Sequence, residues 1–299
     1  MSMSIGVSEQ AYPSWRRFTV TPKVAWQFAR RKPLGGISAL VLLLLVVMAL
    51  FASRIAPYGP LAQNYDAVLA APSWHHIMGT DQVGRDIFSR IIFGSRVSLE
   101  VGAGAVMLGT LGGAAIGVVS GYIGGQTDLV AQRFVDAWLA FPALIFLLTI
   151  IAALGPGLVQ TIVAIGIGIV PGTSRVLRGA VLSVKQRDFI QAARASGAGN
   201  GRIMIRHIVP NVMPLIIVLS SITMAGAILA EATLGFLGVG IPPPTPTWGG
   251  MVSGNSLTYF LSAPWYAIWP GVFISVTVLA WNLAGDALRD ILDPHLRSR

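Results

Sequence analysis

Apolar residues dominate six stretches of the chain, at 36–55 and at roughly 97–123, 129–154, 158–177, 210–236 and 266–287. Each is long enough to cross a bilayer, because about 20 helical residues at about 1.5 Å rise cover a hydrocarbon core of about 30 Å. The first stretch follows a long basic tail and precedes Arg54 and Pro57 rather than a small-residue cleavage site. It reads as an uncleaved span and not as a secretory leader. The pattern predicts an all-α membrane protein with six transmembrane helices. The expected layout is a tail at 1–35, a first helix at 36–55, a turn-rich external loop with a surface amphipathic segment at 56–96, a core at 97–290 holding five helices and a polar connector at 185–209, and a tail at 291–299.

Within the second stretch, Gly109, Gly113, Gly117, Gly121 and Gly125 recur at every fourth position. On a helix they form a smooth stripe that admits another backbone closely, which matters in lipid because no hydrophobic drive pushes helices together. Packing within the chain is the preferred reading of the stripe, with a subunit interface as the other. Pro142 and Pro171 lie inside the third and fourth stretches and are expected to kink them.

Composition agrees with the pattern: of 299 residues 54% are hydrophobic and 11% charged, against about 25% charged in a soluble domain. There is no cysteine, which excludes disulfides, thiol chemistry and thiolate metal sites. The net charge of +9 would suit a nucleic-acid partner, but its distribution argues for topology instead. Basic residues gather at Arg16, Arg17, Lys23, Arg30, Arg31 and Lys32, between Arg175 and Arg206, and at Arg289, Arg297 and Arg299, whereas 238–265 carries no charge. By the positive-inside bias, both termini and the 178–209 connector face the cytoplasm and the uncharged loop faces out. Trp265, Tyr266 and Trp269 then fall at the outer interface. Arg85, Arg90 and Arg96 run against the bias, with Asp81, Asp86 and Glu100 near enough in sequence to offset them in part.

The stretch 188–211 is the most informative. Phe189 to Ala195 suits a short helix, Gly197 to Gly201 a turn, and a second helix is expected from about Arg202 to Pro210, which introduces the fifth span. Two short helices with alanines on the surface can dock a soluble partner. On these features alone a solvated connector is the preferred reading.

This stretch resembles the coupling loop of ABC-importer permeases, whose pattern is Glu-Ala-Ala, three residues, Gly, then a spaced Ile-x-Leu-Pro. Ala192, Ala193, Gly197 and Pro210 fall at the matching places, with Gln191 for Glu, His207 for Ile and Val209 for Leu. Segments 79–90, 94–99, 136–142, 231–238, 243–249 and 282–290 are similar, in order, to the second permease type of the dipeptide/oligopeptide/nickel family. The resemblance implies a type I ABC-importer permease fold in the bacterial inner membrane, an ATP-driven import of peptides or related small solutes, and alternating access. It also implies a second homologous permease, two ATP-binding subunits that hold ATP and Mg, and an external substrate-binding protein. Gln191, Ala192, Ala193, Arg194, Gly197, Arg202 and Pro210 become the expected ATPase-coupling residues. No catalytic residue, cofactor or metal site is expected in this chain: Lys23, Lys32 and Lys185 follow Pro22, Arg31 and Val184, so none can serve a Walker A motif.

Glu231, an acid expected near the outer end of the fifth span, is the candidate for the translocation pathway, because intramembrane charge is costly and defaults to function. Asp136 is expected to pair with Arg133 at i,i+3. Pro243, Pro244 and Trp248 belong to a stiff proline-rich segment and are the candidates for binding-protein docking. Adjacent His75 and His76 point in different directions on regular structure and make a poor metal pair. The rival class is an ion-coupled secondary transporter, which needs intramembrane ion-binding charge and usually shows internal repeats. Only Glu231 and Asp136 qualify, and no repeat is visible. A membrane hydrolase lacks its motifs altogether.

Overall fold

The computed structural model describes residues 33–292, so the basic residues expected inside at 16–32 and at 297–299 lie outside the described residues. Helices, in chain order, are α1 (Pro33–Leu50), α2 (Ala52–Ile55), α3 (Ile87–Ile123), α4 (Gly125–Leu139), α5 (Ala143–Leu154), α6 (Leu158–Lys185), α7 (Asp188–Ala195), α8 (Asn200–Ile203), α9 (Val209–Phe236), α10 (Trp248–Val252), α11 (Asn255–Thr258) and α12 (Trp265–Leu292). Five of the long helical runs are apolar enough to cross a membrane, and α4 with α5 makes a sixth crossing if the bent pair counts as one span.

The seam between α3 and α6 organises the bundle. A Cβ on Gly109 would lie 2.6 Å from Gly166 O, on Gly113 2.9 Å from Val170 O, on Gly117 2.6 Å from Ser174 O, and on Gly121 3.1 Å from Arg178 O. The stripe therefore packs within the chain, backbone against backbone, and not at a subunit interface. Gly125 does not belong to it: it opens α4, with open space where its side chain would be. The paired numbers rise together, so α3 and α6 run parallel. The chain must return between them, and α4 with α5 is that return, bent by 92°. Pro142 causes the break, since it cannot donate to Trp138 and disfavours helix at Phe141; it ends up as the N-cap of α5. Pro171 sits inside α6, which stays continuous. Val101, Ala105, Ile151, Ala164, Met224 and Ile228 fill the core where α3, α5, α6 and α9 meet. Leu34, Ile37, Leu43 and Leu50 of α1 are exposed, as befits a helix that meets lipid on most sides.

The expected surface segment ending at residue 96 is not one. Ile87, Ile91 and Ile92 are buried, and α3 starts ten residues earlier than its apolar run. At 37 residues it is about 55 Å long, well beyond the hydrocarbon thickness. The arginines that made this segment look amphipathic find partners within the chain. Arg90 Nη1 donates to Pro60 O at 2.9 Å, and Arg96 Nε donates to Ala49 O at 3.0 Å, supplying a donor to the last carbonyls of α1. Asp81 binds Arg85 Nε at 2.6 Å, as charge offset requires. Asp86 instead caps α3, accepting from Ser89 N at 2.8 Å and bonding His76 Nδ1 at 3.0 Å. Glu100 is exposed.

Residues 56–86 and 238–264 pack together at one end of the bundle. Trp265 and Tyr266 are turned onto this loop layer rather than to lipid: Trp265 Nε1 donates to Thr80 O at 3.4 Å and the Tyr266 hydroxyl bonds Gln82. The opposite end holds the C-termini of α3 and α6, then α7 and α8. Because α1 ends beside Arg96, its N-terminus lies at this second end, and so does the C-terminus of α12.

Gly117→Leu is expected to prevent the α3–α6 seam from closing, at a cost of about 1–3 kcal/mol or more. Gly172→Ala, with no atom within 4 Å of the new Cβ, should be tolerated. Size-exclusion profiles of the two variants in mild detergent check this: the first loses its monodisperse peak and the second keeps it.

Candidate functional site

The element between α6 and α9 is a small polar cap on three isoleucines. Ile190 of α7, Ile203 of α8 and Ile208 are fully buried against Val118, Tyr122, Val181, Val184 and Val212. α7 ends in a Schellman turn: Gly197 N donates to Arg194 O at 2.9 Å and Ala198 N to Ala193 O at 3.0 Å. Gly197 adopts φ +78°, with nothing within 4 Å of a would-be Cβ. Its requirement is thus conformational, since an L side chain there clashes with its own backbone. Ala193 and Ala198 pack on the isoleucine cluster beneath.

Tyr122, at the end of α3, fixes the cap from below. Its hydroxyl donates to Asn200 Oδ1 at 3.0 Å, and its ring carries Arg194 at 5.3 Å and Lys185 at 5.6 Å. Both cations rest on a π face, which holds them without neutralising them. The basic stretch divides accordingly. Arg178 Nε donates to Asp128 Oδ1 at 2.6 Å and its Nη2 to Oδ2, and Arg175 pairs with Asp136. Asp136 therefore bridges α4 to α6, and the expected local pair with Arg133 gives way to a partner brought near by the return of the chain. Arg187, Arg194, Arg202 and Arg206 are exposed on the cap.

Among the expected coupling residues, Gln191, Ala192, Arg194, Gly197 and Arg202 are exposed together on this cap, while Ala193 is half-buried beneath it. Pro210 stands apart from them. The second helix does not end there: it runs from Asn200 through a π turn at Met204–Ile208 into α9, where Pro210 is the second residue. It follows closely on the π turn, to which it cannot donate, and Asn211 Nδ2 donates to His207 O at 2.6 Å. Sequence reasoning passed over Ile205, 72% exposed between Arg202 and Arg206 on the cap. An apolar residue among cations was the available signal. It also passed over Tyr122, for which nothing in the sequence names Asn200 as partner.

At the loop end, Glu231 is 2% exposed and accepts from Ser98 Oγ at 3.0 Å, with Thr247 as a further hydrogen-bond partner. It joins α9 to α3 inside the chain and faces no open pathway, so the pathway assignment is not supported. The reason is the close approach of 247–250: a Cβ on Gly249 would lie 2.3 Å from Ala232 O, which seals the carboxyl from outside. Trp248 is likewise fully buried, its Nε1 donating to Ile91 O at 3.0 Å. It anchors the loop and cannot touch a docked protein. Pro243 and Pro244 are exposed. His76 is committed to Asp86 and lies against Tyr58, and no group of three His, Cys, Asp or Glu suited to a metal occurs among the described residues.

Comparison with known proteins supplies the family. Residues 113–298 match the family described as binding-protein-dependent transport system inner membrane component, and residues 23–72 match the N-terminal TM domain of oligopeptide transport permease C. The chain is 42% identical to the di/tripeptide transport system permease protein DppC of Pseudomonas aeruginosa, over 92% of this chain and 93% of that one. It is 39% identical to the dipeptide transport system permease protein DppC of Alkalihalophilus pseudofirmus, over 92% and 90%. It is 38% identical to the glutathione transport system permease protein GsiD of Escherichia coli, over 99% and 95%. Among solved structures, a chain of the MetNI methionine ABC transporter in inward-facing conformations shares the fold, with a TM-score of 0.55, 20% identity, and coverage of 68% of this chain and 96% of that one.

Ile203→Ala is expected to cost about 2–5 kcal/mol by opening a cavity under the cap. Ile205→Ala, on the surface, should stay within about 0.5 kcal/mol. Thermal unfolding in detergent, read beside the rate of trypsin cleavage at Arg194 and Arg202, separates the two.

Proposed function

The chain belongs to the family of binding-protein-dependent transport system inner membrane components, as a permease subunit of an ABC importer, and from that premise we propose that the cap at 188–206 is the surface through which separate ATPase subunits drive it. One observation carries this reading: a low-relief face of Gln191, Ala192, Gly197 and Arg202, with exposed Ile205, is fastened by three buried isoleucines to the ends of α3, α6 and α9. Small side chains let a partner approach closely, and the rigid footing passes its displacement to the spans. Two homologous permeases would enclose the pore, each on one ATPase, with an external binding protein delivering solute. The charge bias supports placing the cap and both termini in the cytoplasm and the 56–86 and 238–264 loops outside. The exposed Pro243 and Pro244 then remain candidates for contact with the binding protein. With no Walker A lysine in the chain, ATP and Mg belong to the partner subunits.

Small peptides are the solute class best supported, since the relatives are named for di/tripeptide, dipeptide and glutathione transport. In the cycle we envisage, ATP-driven closure of the ATPases pushes the cap, and α9 carries the motion toward the loop end. The pore then opens to the outside; release after hydrolysis returns it.

Purification of the tagged chain in mild detergent should recover a second permease and two ATPases, with ATP hydrolysis raised by the binding protein. An isolated chain that moves solute across liposomes without ATP would overturn the reading. Gly197→Val, strained at φ +78° by about 1–2 kcal/mol, should cut peptide uptake at least about tenfold while the chain remains in the membrane. Undiminished uptake would remove the cap from the coupling role.

A further inference from the structure

A second site lies at the loop end, between residues 82–90, the proline-rich segment and the start of α12. Here a cavity of about 310 Å³ is lined by Arg85, Arg90, Gln82, Tyr266, Thr245 and Thr247, with Ile241, Pro243 and Met251 as its apolar part. Arg90 is 7% exposed and its buried Nε has no hydrogen-bond partner. The nearest acid, Asp81, is 3.8 Å from that nitrogen, beyond hydrogen-bond distance, and is engaged elsewhere. Its Oδ2 binds Arg85 Nε at 2.6 Å, and its Oδ1 accepts from Val83 N at 3.0 Å and Arg85 N at 2.9 Å. Two guanidinium groups thus share one carboxylate. The other acid nearby, Glu231, is turned away toward Ser98 and does not line the cavity.

A buried cation with an unused donor costs free energy unless something completes it. A planar carboxylate matches a guanidinium edge, and the apolar part of the wall suits an organic body behind it better than a bare mineral anion. We propose that this cavity binds the terminal carboxylate of the solute as it enters the permease from the outside, with Arg90 as the principal ligand and Arg85 as the second cation. The inference rests on the reading of the chain as a permease for peptide-like solutes. It adds a selectivity step to the permease itself, for solutes that end in a free acid. Depth argues for a small solute over an acidic side chain on the docking protein, because Arg90 lies beneath the loop layer rather than on it.

The test uses the full chain in detergent, with acetylglycine and acetylglycinamide as probes and binding read by calorimetry and saturation-transfer NMR. Acetylglycine should bind saturably and the amide at least about tenfold more weakly. Arg90→Gln should reduce acid binding by about tenfold or more, a loss of about 1.4 kcal/mol. Thr245→Phe, an exposed lining residue, should block the cavity with both arginines and their partners intact, so the result does not hang on the folding of the Arg90 variant. Equal binding of acid and amide, no saturable binding, or acid binding unchanged in both variants would overturn the proposal. In the assembled transporter, Arg90→Gln should lower uptake of dialanine while leaving ATPase stimulation by the loaded binding protein intact. Loss of that stimulation would assign the arginines to an acidic side chain of the binding protein and overturn the solute site. Binding is read on the chain alone, so failure of peptide uptake and failure of this site give different results.

Discussion

The structure depends on close approach of two parallel helices in a medium that does not push them together. Lipid tails are as apolar as leucine, so α3 and α6 are held by backbone contact along Gly109, Gly113, Gly117 and Gly121. Gly109, Gly113 and Gly117 place α3 against carbonyls and side chains of α6 at distances no Cβ permits, and Gly121 is only slightly less tight. Parallel packing of two spans has a topological consequence, because a returning crossing must lie between them in sequence. The chain supplies it as α4 and α5, broken at Pro142, and the pairs Asp128–Arg178 and Asp136–Arg175 moor α4 to α6 beside the seam. The far end of α6 then fixes where the cap begins.

Charge management follows the same logic. Arg85, Arg90 and Arg96 at the loop end run against the statistical charge bias, and each finds a partner within the chain. Arg96 serves the carbonyl end of α1, and Arg85 folds onto Asp81. Arg90 is enclosed, yet its partners leave one donor unused. At the cap Arg187, Arg194, Arg202 and Arg206 stay exposed, and Arg194 and Lys185 rest on the Tyr122 ring.

Much of this was legible in the sequence. Span number, the stripe of glycines, the break at Pro142 and the two-helix form of 188–206 all follow from local spacing, because each is a property of one helix or one turn. What was not legible is non-local. Nothing near Asp136 announces Arg175, and a neighbour three residues away was the natural but wrong partner. Trp248 read as a docking residue because it follows a stiff proline-rich segment, and Glu231 as a pathway residue because intramembrane charge is costly. Both are buried by Gly249 and Gly250 pressing on α9, a contact between segments that only the fold brings together. Residues 87–96 misled for a related reason: arginines satisfied by distant carbonyls look, in sequence, like arginines facing water.

The π turn at Met204–Ile208 shows how the cap and the spans are made one body. Ile203 and Ile208 are five residues apart, a spacing that on a regular α-helix places side chains on well-separated faces. Both are nevertheless fully buried in the same cluster. The wider turn, with Val209 N bonded to Met204 O, absorbs one residue and brings the two onto one side. It does so just before Pro210, which could not have donated to the preceding turn in any case. The cost of the irregular turn is offset by a second isoleucine under the cap and by continuity of helix from Asn200 to Phe236. A cap joined to α9 by a flexible loop would absorb a push. Joined without a break, it must move the helix that reaches Glu231 and the loop layer beyond.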